Sequence, residues 1–127
     1  MPLAKVLYVE DDPDIREVAH LALALVGGLD VHICASGEDA IAEAPAFAPD
    51  LLLLDVMMPG LDGPSTLQRL REHPALADTP VVFMTAKVQR QELAALRALG
   101  AIDIVAKPFD PMRLADDLRA IWDRHHG

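Results

Sequence analysis

Five side chains in this 127-residue sequence have the types and settings that phosphoryl chemistry needs: Glu10, Asp11, Asp55, Thr85 and Lys107. Each lies where a short apolar run ends. Val9 is followed by Glu10 and Asp11, Leu54 by Asp55, Met84 by Thr85 and Ala106 by Lys107. If the runs are parallel strands, their carboxyl ends converge on one crevice, which is where open α/β sheets bind ligands. Three carboxylates gathered there repel one another unless a cation relieves them. A hard divalent ion with oxygen ligands would do so, and Mg²⁺ suits a few carboxylates, waters and a phosphoryl oxygen. A carboxylate held at a strand end can also attack phosphorus and form an acyl phosphate. The ion would then bridge nucleophile and phosphoryl group, Lys107 would balance charge on another phosphoryl oxygen, and the Thr85 hydroxyl would donate to a third. Asp12 stands apart from this set as a helix cap.

The elements that must position these residues alternate short strands with longer segments of helical period, the pattern of repeated βα units and a parallel sheet covered by helices. Strands are predicted at Lys5–Val9, Val31–Cys34, Leu51–Leu54, Val81–Met84 and Ile102–Ala106. The third is apolar throughout, as a strand buried on both faces should be. Asp12-Pro13 predicts a helix start, with Ile15, Val18, Ala22 and Leu25 on its inner face up to Gly27-Gly28. A second helix is expected from the Ser36 cap, with Glu38 and Asp39 at its positive end, stopping before Pro45. A third starts near Pro64, turns Leu67 and Leu70 inward and ends before Pro74. The fourth spans about Gln89 to Leu99, with Leu93 and Leu96 inward and Gly100 as its C-cap. The fifth follows Asp110-Pro111 and presents Leu114, Leu118, Ile121 and Trp122 to the core.

A chain of this length is expected to form one domain. Hydrophobic residues make up 52% of it, yet no apolar run approaches the roughly 20 residues that span a bilayer. The N-terminus has no signal-peptide pattern, so the expectation is a soluble, cytoplasmic protein without a membrane partner. A net charge of −9 argues against direct contact with nucleic acid, whose phosphates it would repel, and favours a protein partner or a cation. Cys34 is the single cysteine and reads as a small buried apolar residue, outside redox or metal chemistry. His20 reads as a surface or packing residue, His32 and His73 have no partners at metal-ligand spacing, and His125-His126 reads as a frayed tail. Neither a Walker-type phosphate loop nor a dinucleotide glycine fingerprint is present.

Four stretches together resemble the receiver domain of bacterial two-component response regulators, of the chemotaxis-regulator kind, across essentially the whole chain. They are VLYVEDDPDIR, LLLLDVMMPGLDG, PVVFMTA and GAIDIVAKPF. The resemblance implies a flavodoxin-like doubly wound (βα)5 three-layer sandwich with a parallel five-stranded sheet of order 2-1-3-4-5. It implies that Asp55 is the phosphoacceptor and that Glu10 and Asp11 hold Mg²⁺, with Mn²⁺ as a substitute, Asp11 being the more direct ligand. Asp55 and the Met57 backbone carbonyl would complete the protein ligands. Thr85 and Lys107 correspond to the phosphate-sensing pair, and the Lys107-Pro108 bond is expected cis. The implied partners are a histidine kinase or phosphotransfer protein and a downstream protein. One position departs from the pattern: Ile104 stands where many receivers have an aromatic switch residue. The resemblance also implies that Met57 and Lys87 flank the path of the attacking water, where the lifetime of the phosphorylated form would be tuned.

Three rival readings share parts of this site. Haloacid-dehalogenase-type phosphohydrolases also form an aspartyl phosphate, but they place a second aspartate where Met57 stands and need cap insertions for which this chain has no room. A phosphorylation-independent interaction module would usually lack some of the site acids. A receiver excised from a longer hybrid kinase or multidomain regulator would keep the same phosphotransfer role. The expectation is therefore a single receiver domain over residues 1–127, without an output domain, that catalyses only its own phosphorylation and dephosphorylation.

Overall fold

The apolar runs become five strands in the computed structural model, which describes residues 1–126: β1 Lys5–Val9, β2 Asp30–Cys34, β3 Leu51–Asp55, β4 Val81–Thr85 and β5 Asp103–Ala106. They form one parallel sheet in the order β2-β1-β3-β4-β5. Five helices cover it: α1 Pro13–His20, α2 Gly37–Phe47, α3 Gly63–Arg71, α4 Arg90–Ala98 and α5 Leu114–His126. This is the flavodoxin-like three-layer sandwich, and the order reverses between β1 and β3, which places a crevice at their carboxyl ends.

Alternation along the strands divides the core in two, because successive side chains leave a strand on opposite faces. Val6, Tyr8, Leu51, Leu53, Val82 and Met84 pack against α1 and α5, where Leu114, Leu118, Ile121 and Trp122 are buried as expected. Leu7, Val9, Leu52, Leu54, Val81 and Phe83 pack against α2, α3 and α4. The central strand β3 is buried along its whole length, so its backbone cannot shift without disturbing both layers. Strands β3 and β4 each run one residue beyond their apolar runs. Asp55 and Thr85 therefore sit in the sheet, in register with Met84 and Ala106, rather than in the loops that follow.

Three helical expectations need correction. The inner face of α1 was expected to include Val18 and Leu25, but these are 40% and 73% exposed, while Ala19, Ala22 and Leu23 are buried. From Leu21 to Val26 the chain winds as a π-helix, with the Gly27 amide donating to the Ala22 carbonyl at 3.0 Å, and the wider turn rotates later side chains off a 3.6-residue stripe. Helix α2 runs through Pro45 to Phe47 instead of stopping before it. A proline so near the C-terminal end removes one amide donor from the last turns only, while the buried Ala40 and Ala44 hold the helix on the sheet. Finally, α5 continues through His126, whose ring stacks on Trp122 at 3.8 Å instead of fraying.

Among the described residues no helix is long and apolar enough to cross a membrane.

Candidate functional site

The site is built on strand ends because a strand locked on both faces fixes the direction of the side chain at its tip. Glu10 follows β1, Asp55 ends β3, Thr85 ends β4 and Lys107 follows β5. Glu10, Asp55 and Thr85 are buried, at 1%, 3% and 2% exposure, although each carries polar atoms. Burial of that kind needs partners, and the site provides them. Lys107 Nζ reaches Glu10 Oε1 at 2.8 Å and Asp55 Oδ2 at 3.3 Å. The Tyr8 hydroxyl donates to the same Glu10 oxygen at 3.0 Å, and the Asp12 amide donates to Glu10 Oε2 at 3.3 Å. Burial, followed by the charge of Glu10, pushes the Tyr8 phenol above its ordinary range, so it stays protonated and remains a donor.

Asp11 lies beside this pair. Glu10, Asp11 and Asp55 each offer a carboxylate oxygen, and these atoms lie within 4.8 Å of one another. The loop that holds the acidic pair is pinned by Arg16, whose guanidinium donates to the backbone carbonyls of Glu10 and Asp11 at 2.9 and 2.8 Å. The Thr85 hydroxyl accepts from the Lys87 amide at 3.0 Å, which leaves its proton free to donate elsewhere. The Lys107-Pro108 bond is cis. Met57 lies in the loop after β3 and is 61% exposed. Ile104 sits half-buried in β5, paired with Phe83, on the sheet face that packs against α4, and makes no part of the acid cluster. The structure thus brings together Glu10, Asp11, Asp55 and Lys107, sets Thr85 at the neighbouring strand end and leaves Met57 and Ile104 outside the ion pairs.

Charge in so small a volume shifts the groups against one another. Burial raises the Asp55 carboxyl most, with hydrogen bonding to Glu10 and repulsion from its charge adding to it, and Lys107 only partly opposes them; the result is a pKa of about 7. For Glu10 burial also acts upward, but the hydrogen bonds from Lys107 and Asp55 and the Asp12 amide outweigh it and hold Glu10 below the ordinary carboxylate range. Burial alone would depress Lys107, yet its two acidic partners raise it, so it stays an ammonium. Metal-free, the cluster is therefore a protonated or partly protonated Asp55 beside a Glu10–Lys107 ion pair. An all-oxygen set of three carboxylates against one ammonium is short of positive charge. It fits a hard cation such as Mg²⁺, which takes oxygen ligands and keeps part of its water shell.

The loop from β3 to α3 approaches the site closely at Gly63. A Cβ there would stand 2.5 Å from the Asp55 carbonyl oxygen and 3.0 Å from Val56 Cα. The Gly63 amide also donates to the Val56 carbonyl at 3.0 Å. Gly63→Ala is therefore expected to destabilise the fold by about 1–3 kcal/mol and to move the backbone that aims Asp55, measured by chemical denaturation; an unchanged midpoint would contradict this.

Sequence reasoning overlooked Tyr8 and Arg16. Tyr8 had a signal: it lies two residues before Glu10 in an extended segment, hence on the same side. The reach of Arg16 back over the loop depends on the entry angle of α1 and leaves no mark at the level of spacing.

An open parallel α/β sheet with an acid cluster at its switch point and a lysine reaching into it from β5 could serve a regulator or a hydrolase. Comparison with known proteins decides between these. The chain belongs to the response regulator receiver domain family, whose model matches residues 6–119. It is 39% identical over 119 residues to the transcriptional regulatory protein CseB of Streptomyces coelicolor, covering 94% of this chain and 49% of that protein. It is 35% identical over 122 residues to the DNA-binding dual master transcriptional regulator RpaA of Synechocystis sp., covering 96% and 50%. Among solved structures, the chemotaxis protein CheY4 of Vibrio cholerae superposes with a TM-score of 0.86 at 29% identity, over 94% of this chain and 98% of that one. The chain spans about half the length of the curated relatives it matches. These relatives are named as regulators, and this chain is a receiver domain of the two-component response-regulator type.

Proposed function

We propose that the chain is a phosphoreceiver that accepts a phosphoryl group on Asp55 from a histidine kinase or phosphotransfer protein. The observation that carries this reading is the convergence of Glu10, Asp55 and Lys107 in direct contact at the strand ends of a family member. An Asp55 oxygen attacks phosphorus, a P–O bond forms, and the donor's P–N bond breaks to release imidazole; water later attacks the same phosphorus and releases phosphate. Glu10, Asp11, Asp55 and the Met57 carbonyl would hold Mg²⁺, which supplies charge neutralisation when bound. Lys107 would exchange its contact with Asp55 for a phosphoryl oxygen, and Thr85 would turn its free hydroxyl proton toward another. Phosphorylation thereby favours a second arrangement of the β4–α4 and β5 region. With isoleucine in place of an aromatic ring, Ile104 would repack against α4 as Thr85 moves.

The domain is read as a single receiver over residues 1–127, acting in the cytoplasm through protein contacts rather than on nucleic acid. A second reading, a receiver belonging to a longer regulator, is favoured by the length of its relatives, about twice the matched region. The phosphotransfer step is the same in both. In Mg²⁺ with a small acyl-phosphate donor, intact-mass measurement should show one added phosphoryl group on the wild type and none on Asp55→Asn; equal labelling of both would overturn the assignment. The lifetime of the phosphorylated form is proposed to depend on Met57 and Lys87, whose amide already holds Thr85. Met57→Asn and Lys87→Glu should each change the dephosphorylation rate by about tenfold, below the roughly hundredfold of a positioned general acid or base because these residues orient the water without taking its proton; unaltered rates in both would remove that role.

A further inference from the structure

The sheet edge formed by β2 gathers a second set of ligand-type side chains. His32 and Cys34 are two residues apart on β2, so they leave the strand on the same face. Helix α2 crosses that face and lays Glu43 between them: His32 Nε2 lies 2.6 Å from Glu43 Oε1, and Cys34 Sγ lies 4.0 Å from the same oxygen. One nitrogen, one sulfur and one carboxylate oxygen thus lie within 4.8 Å of one another. The pieces are arranged in depth. Cys34 is 2% exposed, whereas the side chains of His32 and Glu43 are 38% and 46% exposed, and Phe47 flanks the imidazole with ring centroids 5.3 Å apart.

We infer that His32, Cys34 and Glu43 form a binding site for a borderline-soft divalent transition ion, with Zn²⁺ the best match. The donor set decides the class of ion. Thiolate and imidazole favour Zn²⁺ over the hard ions that suit the all-oxygen cluster at Asp55. Donors already this close need only small rotations to surround an ion at about 2.0–2.3 Å, and three protein ligands leave a fourth position for water. As the S–Zn bond forms, the Cys34 thiol loses its proton to solvent. Burial, with the charges of Glu43 and Asp39, pushes that thiol up to about 12, so the ion must displace the proton rather than find a thiolate ready. A hydrogen bond between His32 and Glu43 accounts for those two residues and packing beside Ala40 and Ala44 for Cys34; the metal site rests on all three donors meeting at one point. The site would staple α2 to the edge strand. It also adjoins the acid cluster, because the Cys34 carbonyl accepts from the Glu10 amide at 3.1 Å.

The single cysteine makes the test specific. Reduced protein, with excess Mg²⁺ present to occupy the acid cluster, is titrated with Co²⁺ and followed by absorption. The expected result is one Co²⁺ per chain with a near-ultraviolet thiolate-to-metal charge-transfer band, abolished by Zn²⁺ competition and absent in Cys34→Ser. His32→Ala and Glu43→Gln should each weaken binding by at least about tenfold, no less than loss of an outer-shell partner costs a metal site. His125→Ala with His126→Ala should leave the band intact. No band at stoichiometric Co²⁺ in folded protein, judged by circular dichroism, would overturn the site. So would a band whose affinity is unchanged in both His32→Ala and Glu43→Gln, since Cys34 would then be binding alone.

Discussion

Lys107→Ala is expected to destabilise the metal-free protein by about 3–5 kcal/mol, the range for removing one partner of a buried ion pair. The cost arises from what is left behind. Glu10 and Asp55 would remain at 1% and 4% side-chain exposure with no cation between them, while the Tyr8 hydroxyl and the Asp12 amide still donate to Glu10. The two acids can retreat by sharing a proton, so the loss should be smaller at acidic pH and largest above neutrality. Lys107→Met keeps most of the aliphatic stem and separates charge from packing; it should behave like alanine if charge is responsible. Urea denaturation of both variants, with and without Mg²⁺, measures this. Mg²⁺ should recover part of the loss because the ion replaces the missing positive charge. Wild-type stability in both variants would mean that the buried acids are relieved in some other way.

The candidate site was legible because its residues sit where the sequence changes character. An apolar run ending on a charged residue marks a strand end, and in a parallel sheet all such ends lie on one edge of the fold. Asp55 needed only Leu51–Leu54 before it to be placed. Features that depend on how one element leans on another were not legible. The π-helical turn from Leu21 to Val26 has no composition of its own, so a stripe drawn at 3.6-residue spacing assigned Leu25 to the core. Pro45 reads as a stop because local propensity disfavours it in a helix interior, and burial of Ala40 and Ala44 against the sheet prevails there. The same limit hid the His32, Cys34 and Glu43 cluster. Two of its members are spaced correctly on one strand, but the third lies on the helix that crosses them, and sequence spacing does not give that crossing.

Asp55→Asn should stabilise the protein in the absence of Mg²⁺, with a gain that depends on pH in a definite direction. In the folded chain the Asp55 carboxyl holds its proton to about pH 7, against an ordinary value of 3.8. Between those limits the folded state binds more protons than the unfolded state, so stability falls as pH rises through the window and levels off above it. Asparagine is neutral throughout, keeps the side-chain size and still offers an oxygen to Lys107, so it escapes the loss. The variant should therefore match the wild type near pH 4, draw ahead between about 4 and 7, and lead by roughly 2–4 kcal/mol at pH 8. Mg²⁺ should narrow the lead, because an ion bound by three carboxylates stabilises the wild type more than a site with two. Denaturation midpoints across this pH range test both parts. A gain that is constant with pH would mean that repulsion within the acid cluster is not what asparagine relieves, and a gain unaffected by Mg²⁺ would separate Asp55 from the metal site.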